Sequence, residues 1–139
     1  MLVNGSQRIR ILIADHQEAT RQALRMLLQE EPGLIVSGDA ADSEELLAKV
    51  EVIQPDTVLL DWELPGEPVK ALLSTLRAPD GQLRVIVLSG RPELEEAALA
   101  AGADAFASKI NPPKELVAAI YALQQDGPGV HQTSRHDNP

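Results

Sequence analysis

The residues of this chain best suited to chemistry are Asp15 and His16, Asp61, Ser89 and Lys109, each standing at the end of a short run rich in apolar residues. Two carboxylates can hold a hard divalent cation, which prefers oxygen ligands. A hydroxyl and an ammonium can bind the oxygens of a phosphoryl group, and a carboxylate can act as a nucleophile towards phosphorus. Each residue taken singly has an ordinary explanation, since Asp after a strand is commonly a turn or cap residue and Lys is commonly solvated. Their meaning depends on whether the fold gathers them.

Five segments read as strands: residues 8–14, 34–37, 57–60, 84–88 and 105–108. Ile11-Leu12-Ile13, Val58-Leu59-Leu60 and Val85-Ile86-Val87-Leu88 are continuous apolar runs, as in parallel strands covered on both faces. Helical spacing recurs between and after the strands: Ala23, Leu24, Leu27 and Leu28; Leu46, Leu47, Val50 and Ile53; Val69, Leu72, Leu73 and Leu76; Leu94, Ala97, Ala98 and Ala101; Leu116, Ile120 and Leu123. Ser43, before Glu44 and Glu45, is the expected N-cap of the second helix. Asn111, before Pro112, is that of the fifth, and Gly102 is the stop of the fourth. A strand–helix unit repeated with short loops calls for right-handed crossovers and an open parallel sheet between two helical layers. Ligands of such sheets sit beyond the carboxyl ends of the strands, so Asp15, Asp61, Ser89 and Lys109 are expected on one rim.

Hydrophobic residues make up 44% and charged residues 24% of the 139, ordinary values for one domain, which is expected over residues 8–126 with flexible termini at 1–7 and 127–139. No run reaches the roughly 18 apolar residues of a membrane helix. Residues 1–7 lack the long apolar run of a secretory signal, and there is no cysteine for disulfides or thiolate metal sites, so a cytoplasmic location fits. A net charge of −9 argues against direct nucleic-acid binding, and Trp62, Phe106 and Tyr121 alone make no base-stacking platform.

The stretches ILIADHQEATRQALRMLL, PDTVLLDWELPG, VIVLSG and GADAFASKINPPKELVAAI together resemble the receiver domain of response regulators, most nearly the NarL/FixJ subfamily, over about residues 8–127. The resemblance implies a flavodoxin-like α/β fold, a (βα)5 three-layer sandwich with a five-stranded parallel sheet; its strand order, 2-1-3-4-5, is taken over from the family. It implies two-component signal transduction, with Asp61 accepting a phosphoryl group from a histidine kinase or phosphotransfer protein. Ser89 then matches the switch hydroxyl, Lys109 the motif lysine, and Phe106 the aromatic that turns with the hydroxyl. Mg2+ would be held by Asp15, Asp61 and the backbone carbonyl of Glu63. The surface of the fourth helix, fifth strand and fifth helix would meet a second copy or an effector. The LuxR-type helix-turn-helix usual in that subfamily is not expected within this sequence, and no enzymatic activity is expected.

The family usually carries two adjacent acids after the first strand, whereas here Asp15 is followed by His16. Imidazole is a poor ligand for magnesium, so weakened Mg2+ binding is expected, with the Glu63 carboxylate compensating in part. His16 has two readings: protonated, it supplies part of the cation's charge, or it points to solvent. Glu63 and Arg91 lie two residues beyond Asp61 and Ser89, and as a pair they would shield a phosphoryl group; otherwise Arg91 is solvated. Gly90 has no side chain to obstruct the phosphate. Phe106 is either a switch or core packing, and Tyr121 is either an exposed contact or a cover for the sheet edge. The Ala-rich fourth helix buries little and is expected to move most readily. The competing reading is a pseudo-receiver, an interaction module that works without phosphorylation because His16 replaces an acidic ligand. A flavin carrier is weaker, because DHQEAT is not a Ser/Thr/Gly-rich phosphate cradle.

Overall fold

Successive side chains of a strand point to opposite faces, so one continuous apolar run can serve two cores. In β1 (Ile9–Ala14), Leu12 and Ala14 join one core while Ile11 and Ile13 join the other. β3 (Thr57–Asp61) divides the same way, Val58 and Leu60 against Leu59. β4 (Arg84–Ser89) sets Val85 and Val87 against Ile86 and Leu88. With β2 (Leu34–Ala40) and β5 (Ala105–Ser108) these strands pair in parallel in the order β2-β1-β3-β4-β5. The computed structural model describes residues 8–77 and 82–126, and the termini expected to be flexible lie outside the described residues.

α1 (Glu18–Gln29) and α5 (Pro113–Asp126) supply Leu28, Leu116 and Ile120 to the core on one face of the sheet. α2 (Ser43–Ile53), α3 (Val69–Arg77) and α4 (Glu95–Ala100) supply Leu46, Leu72, Leu73 and Ala98 to the other. This is the flavodoxin-like three-layer sandwich, strand order included. Among the described residues no helix is long and apolar enough to cross a membrane.

Several boundaries differ from those expected of the sequence. β2 runs to Ala40 because its register shifts by one residue: Val36 is level with Ile11, but Gly38 is level with Leu12. The irregularity at Ser37 lets Gly38-Asp39-Ala40, weak strand formers, pair alongside β1. β3 and β4 each take in one more residue, so Asp61 and Ser89 are the last paired positions of their strands, level with Leu88 and Ser108. The cap of α2 is Asp42 rather than Ser43. Asp42 Oδ1 accepts from Glu45 N at 2.8 Å, and Glu45 Oε1 accepts from Ala41 N at 2.9 Å, an exchange resembling a capping box. The Ala41 hydrogen bond, helped by Lys49, holds the Glu45 carboxyl below the usual carboxylate range.

Ser43 is buried, and its hydroxyl accepts from Glu67 N at 3.0 Å. The neighbouring Gly66 has φ +114°, and a Cβ there would fall 1.9 Å from Ser43 Oγ, so glycine is required on both counts. Asn111 is not the cap of α5, which begins at Pro113; its side-chain amide donates to Glu115 Oε1 at 3.0 Å instead. Gly102, with φ +115°, does follow the end of α4. Tyr121 lies against Gly33, where a Cβ would come within 2.5 Å of its hydroxyl, so this ring covers the sheet edge.

Candidate functional site

The rim at the carboxyl ends of the strands gathers the chemistry. Lys109, immediately after β5, donates from Nζ to Asp15 Oδ2 at 2.8 Å and to Asp61 Oδ1 at 3.4 Å. Asp15 and Asp61 are 0% and 2% exposed, and buried carboxylates demand polar partners. They have them: Gln17 N donates to Asp15 Oδ1 at 2.9 Å, and Glu63 N donates to Asp61 Oδ1 at 3.0 Å. The remaining oxygen of Asp61, Oδ2, receives His16 N at 3.3 Å and lies 2.5 Å from His16 Nδ1. His16 is exposed at the rim, but its ring is not free there, because it lies against the Asp61 carboxylate.

Burial opposes ionisation of Asp61, but the His16 and Glu63 hydrogen bonds and the Lys109 charge outweigh it and hold the carboxyl below its usual value. Burial likewise works against the charge of Lys109. The hydrogen bond to Asp15 and the charges of Asp61 and Asp15 prevail, raising its pKa. The rim therefore carries an ammonium between two carboxylates.

Ser89 stands beside this cluster. Its hydroxyl accepts from Arg91 N at 3.0 Å, while its carbonyl accepts from Lys109 N at 2.8 Å, tying the ends of β4 and β5 together. Arg91 Nη2 pairs with Glu63 Oε2 at 3.6 Å, with both side chains more than half exposed, so the charge pair anticipated across the pocket is formed. A Cβ on Gly90 would meet nothing within 4 Å, so the space beside Ser89 is open. Phe106 is half-buried and packs against the core shared by α2, α3 and α4, as does Trp62.

One residue not singled out as functional supports the site. Arg21, in α1, donates from Nη1 to the Asp15 carbonyl at 2.9 Å and from Nε to Asp39 Oδ2 at 3.3 Å, linking the ends of β1 and β2. An arginine one turn into the helix that follows the first strand was the available signal.

Asp15, His16 and Asp61 each offer a ligand atom, all within 4.8 Å of one another. The two carboxylates suit a divalent cation. The imidazole nitrogen does not suit the near-octahedral oxygen shell that Mg2+ requires, so the donor set fits magnesium only in part.

Comparison with known proteins agrees with this architecture. The family described as the response regulator receiver domain matches residues 11–121. The nitrate/nitrite response regulator protein NarL of Escherichia coli is 30% identical over 113 residues, 80% of this chain and 52% of that protein. A protein-glutamate methylesterase/protein-glutamine glutaminase of Myxococcus xanthus is 34% identical over 116 residues, 83% of this chain but 33% of that protein. The chain thus spans about half or less of the length of these curated relatives. The crystal structure of a LuxR-family two-component response regulator from Aurantimonas superposes with a TM-score of 0.79 at 29% identity, covering 90% of this chain and 94% of the other. A buried pair of carboxylates bridged by a lysine at the rim of this sheet, together with these matches, places the chain in the response regulator receiver domain family.

Proposed function

We propose that residues 8–126 form a receiver domain that accepts a phosphoryl group on Asp61 from a histidine kinase or phosphotransfer protein. An Asp61 carboxylate oxygen forms a bond to phosphorus as the phosphorus–nitrogen bond of the donor phosphohistidine breaks, and the departing imidazole takes up a proton. The observation that carries this reading is the Lys109 ammonium held between Asp15 and Asp61, beside the one carboxylate that ends a central strand. A depressed Asp61 pKa keeps the nucleophile ionised. Lys109 and the Ser89 hydroxyl supply donors for the new phosphoryl oxygens.

The proposed output follows from the same groups. Movement of the Ser89 hydroxyl towards phosphate vacates space for Phe106 to turn inward, altering the α4-β5-α5 surface that meets a second copy or an effector. Glu63 and Arg91 guard the open side next to Gly90. Their exposed pairing is worth only about 0–1 kcal/mol, so they act by shielding phosphate from water rather than by stabilising the fold. The chain acts in this reading as a cytoplasmic switch rather than an enzyme, with no direct contact to nucleic acid or membrane. Binding of Mg2+ is weak, since Asp15, Asp61 and the Glu63 carbonyl remain to hold it while His16 stands where the family has an acid.

The test is intact-mass analysis after acetyl phosphate treatment with Mg2+, with Trp62 fluorescence reporting the change beside Asp61. A single phosphoryl adduct that disappears in Asp61→Asn is expected. Absence of an adduct with any divalent ion would replace this reading with the pseudo-receiver, an interaction module independent of phosphorylation.

A further inference from the structure

We propose that Asp15, Asp61 and His16 bind an imidazole-accepting divalent cation, of the Ni2+ or Zn2+ class, in preference to Mg2+, with His16 Nδ1 as a direct ligand. The inference deepens the reading of the same pocket, but it rests on the pocket's donors and not on phosphorylation.

The orientation of the carboxylates carries the argument. One oxygen of each faces the ammonium: Lys109 Nζ holds Asp15 Oδ2 and Asp61 Oδ1. The other oxygen of each faces the imidazole: His16 Nδ1 lies 3.8 Å from Asp15 Oδ1 and 2.5 Å from Asp61 Oδ2. Lysine and cation therefore use different oxygens and need not compete. Donors bound about 2.0–2.2 Å from one ion stand roughly 3–3.5 Å apart; the two imidazole–carboxylate separations bracket that range, and all three ligand atoms lie within 4.8 Å of one another.

Charge and donor type then select the ion. With the two carboxylates ionised and the ring neutral, Lys109 leaves one net negative charge among these four side chains, less attraction than a third acid would supply. Mg2+ sheds water reluctantly and needs oxygen donors to compensate. Ni2+ and Zn2+ gain from a nitrogen donor in a mixed N/O set, where affinity rises along the first-row series. Both carboxylates are buried, whereas the His16 side chain is 34% exposed, so the ring lies on the side from which an ion can arrive.

Isothermal titration of the full chain with the chlorides of Ni2+, Zn2+ and Mg2+ tests this. His131 and His136 are replaced by Gln throughout, so that His16 is the sole imidazole among the three histidines. Ni2+ and Zn2+ are expected to bind about 10-fold or more tighter than Mg2+, and His16→Ala to lose about 10-fold or more of that affinity with Mg2+ nearly unchanged. His16→Asp narrows or reverses the preference. Equal or tighter Mg2+ binding, or Ni2+ binding indifferent to His16→Ala, overturns the proposal. If His16→Ala fails to fold by circular dichroism, Co2+ added to the His16-containing protein decides: paramagnetically shifted imidazole resonances support ligation, and their absence overturns it. No phosphodonor is present, so failure of Asp61 to be phosphorylated leaves this result standing. An Asp61 adduct without His16-dependent binding removes only the cation proposal.

Discussion

α3 and α4 pack on the same core yet hold to it very differently. In nine residues α3 buries Val69, Leu72, Leu73 and Leu76, whereas the six residues of α4 bury only Ala98 and leave Leu99 43% exposed. A buried leucine side chain contributes about 1.5–3 kcal/mol of burial free energy, far more than alanine's single methyl. The start of α4 is also looser, through the 3-10 turn Pro92–Leu94, with no side-chain cap at Arg91 or Leu94. The helix that follows Asp61 is thus an anchor and the helix that follows Ser89 is a weakly held cover. A signal at the rim would travel into the weaker of the two.

The largest expected effect is in α3. Leu72→Ala should destabilise the domain by about 2–5 kcal/mol in urea denaturation, whereas Leu99→Ala in α4 should change it by less than about 0.5 kcal/mol. Comparable costs at both sites would break the contrast. Next in size is the difference in local opening. Amides of α4 should exchange with deuterium well before those of α3, because few buried contacts must be lost to open it. Equal protection in the two helices would show that α4 opens only with the whole domain.

A smaller effect concerns the strand that feeds α3. The depressed pKa of Asp61 means that its ionised form stabilises the fold above the unfolded pKa near 3.9, and that this contribution is lost as pH falls through the lower folded value. The stability of wild type relative to Asp61→Asn should therefore be most favourable above about pH 5 and decline as the medium is acidified. A difference independent of pH would mean that the hydrogen bonds from His16 and Glu63 do not favour the charged carboxyl.

The gathering of Asp15, Asp61, Ser89 and Lys109 was legible because a parallel sheet sends the carboxyl ends of its strands to one rim, so local patterns sufficed to place them. The contact of His16 with Asp61 was not, since adjacency to Asp15 leaves the ring free to turn either way and only the buried carboxylate across the rim decides. The cap of α2 shows the same limit. Asp42 and Ser43 are equally good caps in the local sequence, and the choice is made by Glu67 N, far along the chain, which claims the Ser43 hydroxyl. The extension of β2 through Gly38 and Asp39 likewise follows from pairing with β1, against their own preference.

Lys109 also has a mechanical role that its chemistry conceals. β5 is an edge strand whose only ladder partner among the described residues is β4, yet the lysine just beyond it reaches past β4 to carboxylates at the ends of β3 and β1. Its side chain is a strut between the edge of the sheet and its centre. Any anion that draws the ammonium away from Asp15 cuts the strut's far attachment, so the edge strand loses its tie to the end of β1 by the same displacement that recruits the charge, while its ladder with β4 stays in place.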